Sequence, residues 1–210
     1  MTGRSSAHSG ALKRLLTAAA RASLSAGGGL DRHVIIDVCE RVGIHVHSFH
    51  QIFPTEDDLF DAVHKSIVED CNLRLRAGID RFEATDSATK YMDAARALAE
   101  AWPIERGGMT IRADRRARAL AGSVNGPSLL ASERRFVQSL QGILADLIYK
   151  IGRAFDHSPA LATRVILDTF ERSFEAWILE GHSESRFGDS PYVGRTLPTL
   201  LEQLSSARTN

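Results

Sequence analysis

The sequence predicts an all-α protein with a helix-turn-helix domain in residues 1–54 and a larger helical domain in residues 55–210. Three observations support this fold class. Apolar residues recur at spacings of three and four, no segment alternates as a strand would, and two short helical patterns meet at one glycine. The chain of 210 residues, 43% hydrophobic and 25% charged, is long enough for a small domain and a second core.

The helix-turn-helix pattern runs from Val34 to Phe60. Its first helix has a single apolar face, which carries Ile35, Val38, Cys39 and Val42. Gly43 ends this helix, because glycine accepts the left-handed backbone conformation of a helix stop. The second helix points its apolar residues Val46, Phe49 and Phe53 inward. Its outward residues are polar: His45, His47, Ser48, His50 and Gln51.

The flanking segments contain a helix on each side. Upstream, an apolar face of Leu12, Leu15, Leu16 and Ala19 is followed by the stop signal of residues 27–29, all glycine. Downstream, Thr55 is an N-cap with a carboxylate at the third helical position, and the helix it begins extends to about Ala77.

Proline and glycine breaks divide the rest of the chain into five more predicted helices. These are Asp86–Ala101, Ile111–Leu120, Ser128–Phe155, Ser158–Gly181 and Pro198–Ser206. Pro103 and Gly107-Gly108 interrupt the chain between the first two. The longest helix buries a face made of Phe136, Leu140, Ile143, Leu144, Leu147 and Ile151.

The formal net charge is +0, but the charge is distributed unevenly along the chain. Six basic and three acidic residues up to Pro54 give this segment a charge of +3, so the remainder carries −3. A slightly basic N-terminal segment suits contact with nucleic acid. The N-terminus lacks a secretory pattern and no run approaches the roughly 20 apolar residues of a membrane span, which predicts a cytoplasmic protein with no membrane partner. Cys39 and Cys71 are then reduced core thiols.

Residues Val34 to Phe60 resemble the tetracycline-repressor (TetR) family of bacterial one-component transcription regulators. The residues that match the usual family pattern directly are Asp37, Glu40, Gly43, Phe53, Pro54, Asp58, Leu59 and Phe60. The resemblance implies a homodimeric regulator, most often a repressor, that binds palindromic double-stranded operator DNA and is released by a small-molecule effector. No cofactor is implied.

The sequence departs from this pattern at residues that usually contact phosphate. His45 replaces a capping serine, Val46 a lysine and His50 a tyrosine, and Glu56 stands where a basic residue is common. Each departure removes affinity for the DNA backbone without removing sequence information. The residues predicted to contact DNA are Arg32, Arg41, His45, Val46, His47, Ser48, His50, Gln51 and Thr55. The alternative is a regulator-like module for a ligand or protein, with weakened or lost DNA binding.

In the resembled family, the last two long helices pack against their symmetry mates. A wide apolar stripe on the helix of residues 158–181 and leucines near the C-terminus predict such an interface here. Its residues would be Val165, Ile166, Phe170, Phe174, Trp177, Leu197, Leu200, Leu201 and Leu204. The same stripe is also compatible with a core inside one chain.

The effector would bind among the helices of the larger domain. Candidate lining residues are Trp102, Met109, Arg112, Phe136, Tyr149, Phe174 and Trp177, although each could equally be core. The arginines between Arg106 and Arg118 could hold an anionic effector or form a solvated face. Only His47 and His50 share a face suitable for a metal, without a nearby carboxylate, so no metal site is predicted. No phosphate-binding loop, nucleophile elbow or acid-base pair indicates an enzyme.

Overall fold

The computed structural model describes residues 2–26, 32–84, 86–156 and 158–207. Within these ranges the protein is almost entirely helical, which confirms the predicted all-α class. Its α-helices are α1 Thr2–Ser25, α2 Arg32–Val42, α3 Val46–His50, α4 Glu56–Arg81, α5 Lys90–Ala101, α6 Arg106–Leu120, α7 Gly126–Lys150, α8 Pro159–Leu179 and α9 Leu197–Gln203. A 3-10 helix, Glu184–Asp189, and a π-helix, Tyr192–Thr196, lie between α8 and α9.

Two short strands correct the prediction of helix at residues 153–155 and 205–206. Strand β1 (Arg153–Phe155) pairs antiparallel with β2 (Ser205–Ala207). The helix of residues 128–155 stops early because Gly152 has a φ of 75°, which turns the backbone out of the helix. Its predicted buried face is nevertheless confirmed, since all six of its residues are buried.

The chain forms two compact units. Residues 1–68 and 105–130 form the first unit, and residues 69–104 and 131–210 form the second. These bounds differ from the predicted division after residue 54, because the start of α4 and all of α6 belong with the N-terminal helices. The division into a DNA-binding part and an effector-binding part stays a prediction.

The core of the first unit joins the first four helices and α6. It includes Leu16 and Leu24 of α1, Val38 of α2, Phe49 of α3 and Ile111 of α6. By contrast, Leu15, placed on the same face of α1 from sequence, is exposed. The predicted glycine stop at residues 27–29 lies outside the described residues.

Helix α6 begins at Arg106 rather than Ile111, so Gly107 and Gly108 lie inside it and do not interrupt it. A Cβ on Gly107 would lie 2.8 Å from the backbone carbon of Leu24. Glycine at this position therefore allows close approach of α6 to α1, and tertiary packing overrides its poor helix propensity.

The second unit has an aromatic core. Trp102 stacks on Phe170 with ring centroids 4.4 Å apart, and Phe187 meets both Phe170 and Phe174 edge to face at 5.3 Å. Tyr192 completes the cluster, and its hydroxyl lies 2.9 Å from the hydroxyl of Thr169. Such ring pairs stabilise a core beyond the area that they bury.

Candidate nucleic-acid interface

The turn between α2 and α3 is a Schellman motif. The Ile44 N–H donates to the Cys39 carbonyl at 3.0 Å, and the Gly43 N–H donates to the Glu40 carbonyl at 3.2 Å. Gly43 has a φ of 74°, so the predicted glycine stop is confirmed. This pair of hydrogen bonds sets the direction in which the chain enters α3.

Helix α3 has only five residues and is held from its inner side. Phe49 is fully buried, and its ring lies 5.6 Å from the ring of Phe53, which is also buried. His45 occupies the N-cap position with extended backbone angles, but its side chain makes no cap hydrogen bond within the described chain. Because isolated helices of this length are unstable, the position of α3 depends on these buried rings and on the flanking turns.

The outer surface of α3 and of the residues beside it carries most of the predicted DNA-contacting side chains. His45, His47, His50 and Gln51 are exposed, and Ser48 is half-buried. Gln51 Nε2 and His47 Nε2 lie 3.4 Å apart. Val46 was predicted to point inward, which is wrong, because this first residue of α3 is 39% exposed. It therefore adds an apolar group to the outer surface.

A capping box fixes the start of α4. The Asp58 N–H donates to the Thr55 hydroxyl oxygen at 3.2 Å, while the Thr55 N–H donates to the Asp58 carboxylate at 2.9 Å. The Thr55 hydroxyl also donates to this carboxylate at 2.7 Å. These contacts confirm the predicted N-cap at Thr55 and satisfy two backbone groups that would otherwise lack partners.

Arg41 is exposed at the end of α2, one turn from its partner Asp37. Its Nε donates to Asp37 at 3.0 Å, and the Ser23 hydroxyl of α1 donates to the same carboxylate at 2.8 Å. The hydrogen bonds from Arg41 and from Ser23 lower the pKa of the Asp37 carboxyl. The side chain of Arg32, the other predicted phosphate contact, lies outside the described part of the chain.

A comparison with solved structures finds a match over nearly the whole chain. The match is to a ketosteroid transcriptional regulator, KstR2, of Mycobacterium tuberculosis. It has a TM-score of 0.56 and 18% sequence identity, and covers 92% of this chain and 95% of that one. No family model and no curated protein matches the sequence.

The chain has the TetR-like fold. At this sequence identity the likeness concerns the arrangement of the helices and not the ligands. It confirms the fold that was expected from residues 34–60 and extends it to the helices of the second unit, for which the sequence offered only length and helical periodicity.

In this TetR-like fold, the residues predicted to line an effector site fall in both compact units. In the second unit, Trp102, Phe136 and Phe174 are buried in the core, whereas Tyr149 is 60% exposed. Trp177 is half-buried, and its Nε1 donates to the Ser183 carbonyl at 2.8 Å. In the first unit, Met109 and Arg112 are buried in α6. Their role as ligand contacts stays a prediction.

Two arginines of α6 contact carboxylates of the first unit. Arg115, with a side chain only 2% exposed, pairs with Asp57 at 2.9 Å, with Asp61 at 3.3 Å and with Asp114. Burial lowers the pKa of its guanidinium, but the hydrogen bonds that it donates to Asp57 and Asp114 outweigh this, and the pKa is raised. Arg118 pairs with the same two aspartates at 2.9 and 3.1 Å. Arg115 therefore does not belong to a solvated face, whereas Arg118 is 44% exposed and does.

Five of the residues predicted for the dimer interface are buried within the chain itself. They are Ile166, Phe170, Phe174, Leu197 and Leu201. A partner subunit would not reach these side chains, so for them the structure favours the alternative of an intrachain core. The other four, Val165, Trp177, Leu200 and Leu204, are half-buried.

A pocket of about 470 Å³ in the second unit was not predicted from the sequence. Its polar lining residues include Lys90 and Tyr91 of α5, Arg153 of β1 and Glu202 of α9. These residues are far apart in the sequence and follow no motif, so only the pairing of β1 with β2 and the packing of α5 against α9 indicate that they converge.

Neither membrane-spanning nor metal-binding features are found in the described ranges. None of the helices there is both long and apolar enough to cross a membrane. No group of three or more histidine, cysteine, aspartate or glutamate side chains in this part of the chain is arranged to hold a metal ion.

Proposed function

We propose that this protein is a homodimeric transcriptional repressor that binds operator DNA through α3 and is released by a small-molecule effector bound in its second unit. The observation that carries the proposal is the solvent-facing side of α3, which presents imidazole and amide groups while Phe49 holds the helix from inside. A helix of this kind after a tight turn is the element that helix-turn-helix proteins insert into the major groove.

The exposed side chains of α3 and of its neighbouring residues can make different kinds of contact with DNA. Gln51 and Ser48 can form hydrogen bonds to base edges, which carry sequence information in the major groove. Arg41 can contact phosphate, although doing so would weaken its pair with Asp37. Val46 can pack against a thymine methyl group, a contact that an exposed apolar side chain makes well.

We place the dimer interface on the outer face of α8. Leu161, Asp168, Arg172 and Leu179 recur at helical spacing and are all exposed. In the described chain, neither Asp168 nor Arg172 has an ion-pair partner. If two copies of α8 pack antiparallel through this outer face, about a two-fold axis at the level of residue 170, Asp168 faces the partner's Arg172 and Leu161 faces the partner's Leu179. The pattern is self-complementary in charge.

A charge exchange tests this dimer face. Asp168→Arg should weaken the dimer because Arg then faces the partner's Arg172, and the double variant D168R/R172D should restore it. Sedimentation of each purified chain measures the outcome. Wild-type sedimentation of the single variant would refute this face, and a monomeric wild-type chain would refute the dimer itself.

Release by an effector requires two states of the protein. We expect the effector to have different affinities for a state that matches the operator spacing and one that does not, because equal affinities would shift nothing. Helix α4 begins directly after the DNA-reading segment and continues into the second unit. It is therefore the element expected to transmit the change.

The alternative is a ligand- or protein-binding module that has lost tight DNA binding. Two observations support this alternative. The N-cap residue His45 makes no cap hydrogen bond from its side chain, and Arg41 is already paired with Asp37. An electrophoretic mobility shift with DNA from upstream of the protein's own reading frame separates the two. A salt-sensitive, sequence-selective complex supports the repressor. The absence of any complex at micromolar protein and low salt would support the ligand- or protein-binding module instead.

A further inference from the structure

The pocket in the second unit has the dimensions of a small-molecule site. Its volume of about 470 Å³ lies within the range of roughly 300–1,000 Å³ that is usual for ligand pockets. Lys90 and Tyr91 form one wall with Arg153. Pro198 and Glu202 of α9 also line it. It shares no residue with the predicted effector site.

Two cations meet at one aromatic ring in this pocket. Lys90 Nζ lies 5.3 Å from the ring centroid of Tyr91, and Arg153 Cζ lies 5.8 Å from it. All three residues are half-buried. Within the described ranges neither cation forms an ion pair with a carboxylate. Two half-buried positive charges at one ring therefore lack the anion that usually compensates such a pair.

Arg153 is held in place by the backbone. Its Nη2 donates to the Ser205 carbonyl of β2 at 2.5 Å, while its Nε is buried and has no acceptor in the described chain. A guanidinium fixed in this way loses little side-chain entropy when it binds an anion. Glu202 is exposed and brings one negative charge to the pocket, so the lining remains positive by one charge.

We propose that this pocket binds a small organic anion with an apolar body. Lys90 and Arg153 would contact its carboxylate or phosphate group, and Tyr91 and Pro198 would contact the apolar part. Glu202 lowers the affinity for any anion.

Full-length protein titrated with benzoate, phenyl phosphate and neutral benzamide tests the proposal. Binding is followed by calorimetry and by the amide NMR shifts of Ala88, Lys90 and Tyr91. The expected result is binding of at least one of the two anions at millimolar concentration or below, with shifts at these amides and a much weaker response to benzamide. Benzoate alone would identify carboxylates as the ligand class, and phenyl phosphate alone would identify phosphates.

Three variants locate the binding. Lys90→Gln should weaken the anion by up to about fivefold, as expected for a partly screened charge pair. Glu202→Gln should tighten it. Arg96→Gln, on the exposed side of the same helix, removes an equal charge and should change little. Equal effects of the Lys90 and Arg96 variants, equal binding of benzamide, or no binding of either anion would overturn the proposal.

Discussion

Replacing Arg115 by methionine should destabilise the first unit. The side chain is 2% exposed and pairs with three carboxylates, with its guanidinium carbon 5.5 Å from the centroid of the Phe60 ring. Removing one member of a buried ion pair costs about 3–5 kcal/mol. Here the aspartates are between 20% and 48% exposed and can rehydrate, which reduces the expected loss to about 2–3 kcal/mol.

Arg118→Met is the matched control, because Arg118 pairs with Asp57 and Asp114 but is 44% exposed. Its loss should be less than about 1 kcal/mol. Urea unfolding monitored by circular dichroism gives both free energies. Added salt should recover part of the stability of the Arg115 variant, because salt screens the repulsion among the remaining carboxylates. Equal losses in the two variants would refute the argument from burial.

Three further predictions concern DNA binding and the aromatic core. Gln51→Ala should change the preference among operator sequences by about 1–3 kcal/mol, whereas Arg41→Ala should weaken all sequences alike and reduce the salt slope, both measured by fluorescence anisotropy. The double variant His47→Gln with His50→Gln should change operator affinity, because both imidazoles are exposed on the outer surface of α3 that is proposed to meet DNA. Burial raises the pKa of Tyr192 to about 12, partly offset by its bond to Thr169, so folding stability should fall as the pH rises from 10 toward 12, and Tyr192→Phe should remove this part of the fall.

Each of these predictions has its own control. Unchanged base preference with the Gln51 variant would exclude a base contact. Equal operator affinity in wild type and in the double histidine variant would mean that these imidazoles do not contact DNA. For Tyr192, the sign follows from a folded pKa above the unfolded one, which stabilises the protonated form until the folded pKa is passed. Tyr149→Phe is the comparison because Tyr149 is exposed, and removal of the same part of the fall by this variant would contradict the role of burial.

Local signals predicted the helix-turn-helix segment well. Gly43, Thr55 and Asp58 act through hydrogen bonds to backbone groups within a few residues, so their residue types and spacing alone specify the turn and the cap. Val46 is the exception. The helical period places it on the same side as Phe49, but the period cannot tell that α3 begins at Val46, where the residue is left 39% exposed.

Long-range contacts account for what the sequence did not predict. Gly107 has the appearance of a helix breaker, yet it lies inside α6. Glycine is needed there because the backbone of Leu24, more than eighty residues earlier, leaves no space for a Cβ. The strand pair β1–β2 was missed because three residues are too few to show alternation. The burial of Arg115 was missed because its partners Asp57 and Asp61 lie on another helix.

The supports of α3 explain why its outer residues can differ from the usual TetR pattern without altering the fold. The helix is positioned by Phe49 from inside, by the Gly43 turn before it and by the Thr55 cap after it. The side chains of His45 and Val46 take no part in these supports, whereas the His50 ring meets the Phe49 ring edge to face at 5.2 Å. Substitution at His45 or Val46 should therefore change the outer surface of α3 and leave its placement intact, so any effect on DNA affinity should be independent of folding stability at these two positions.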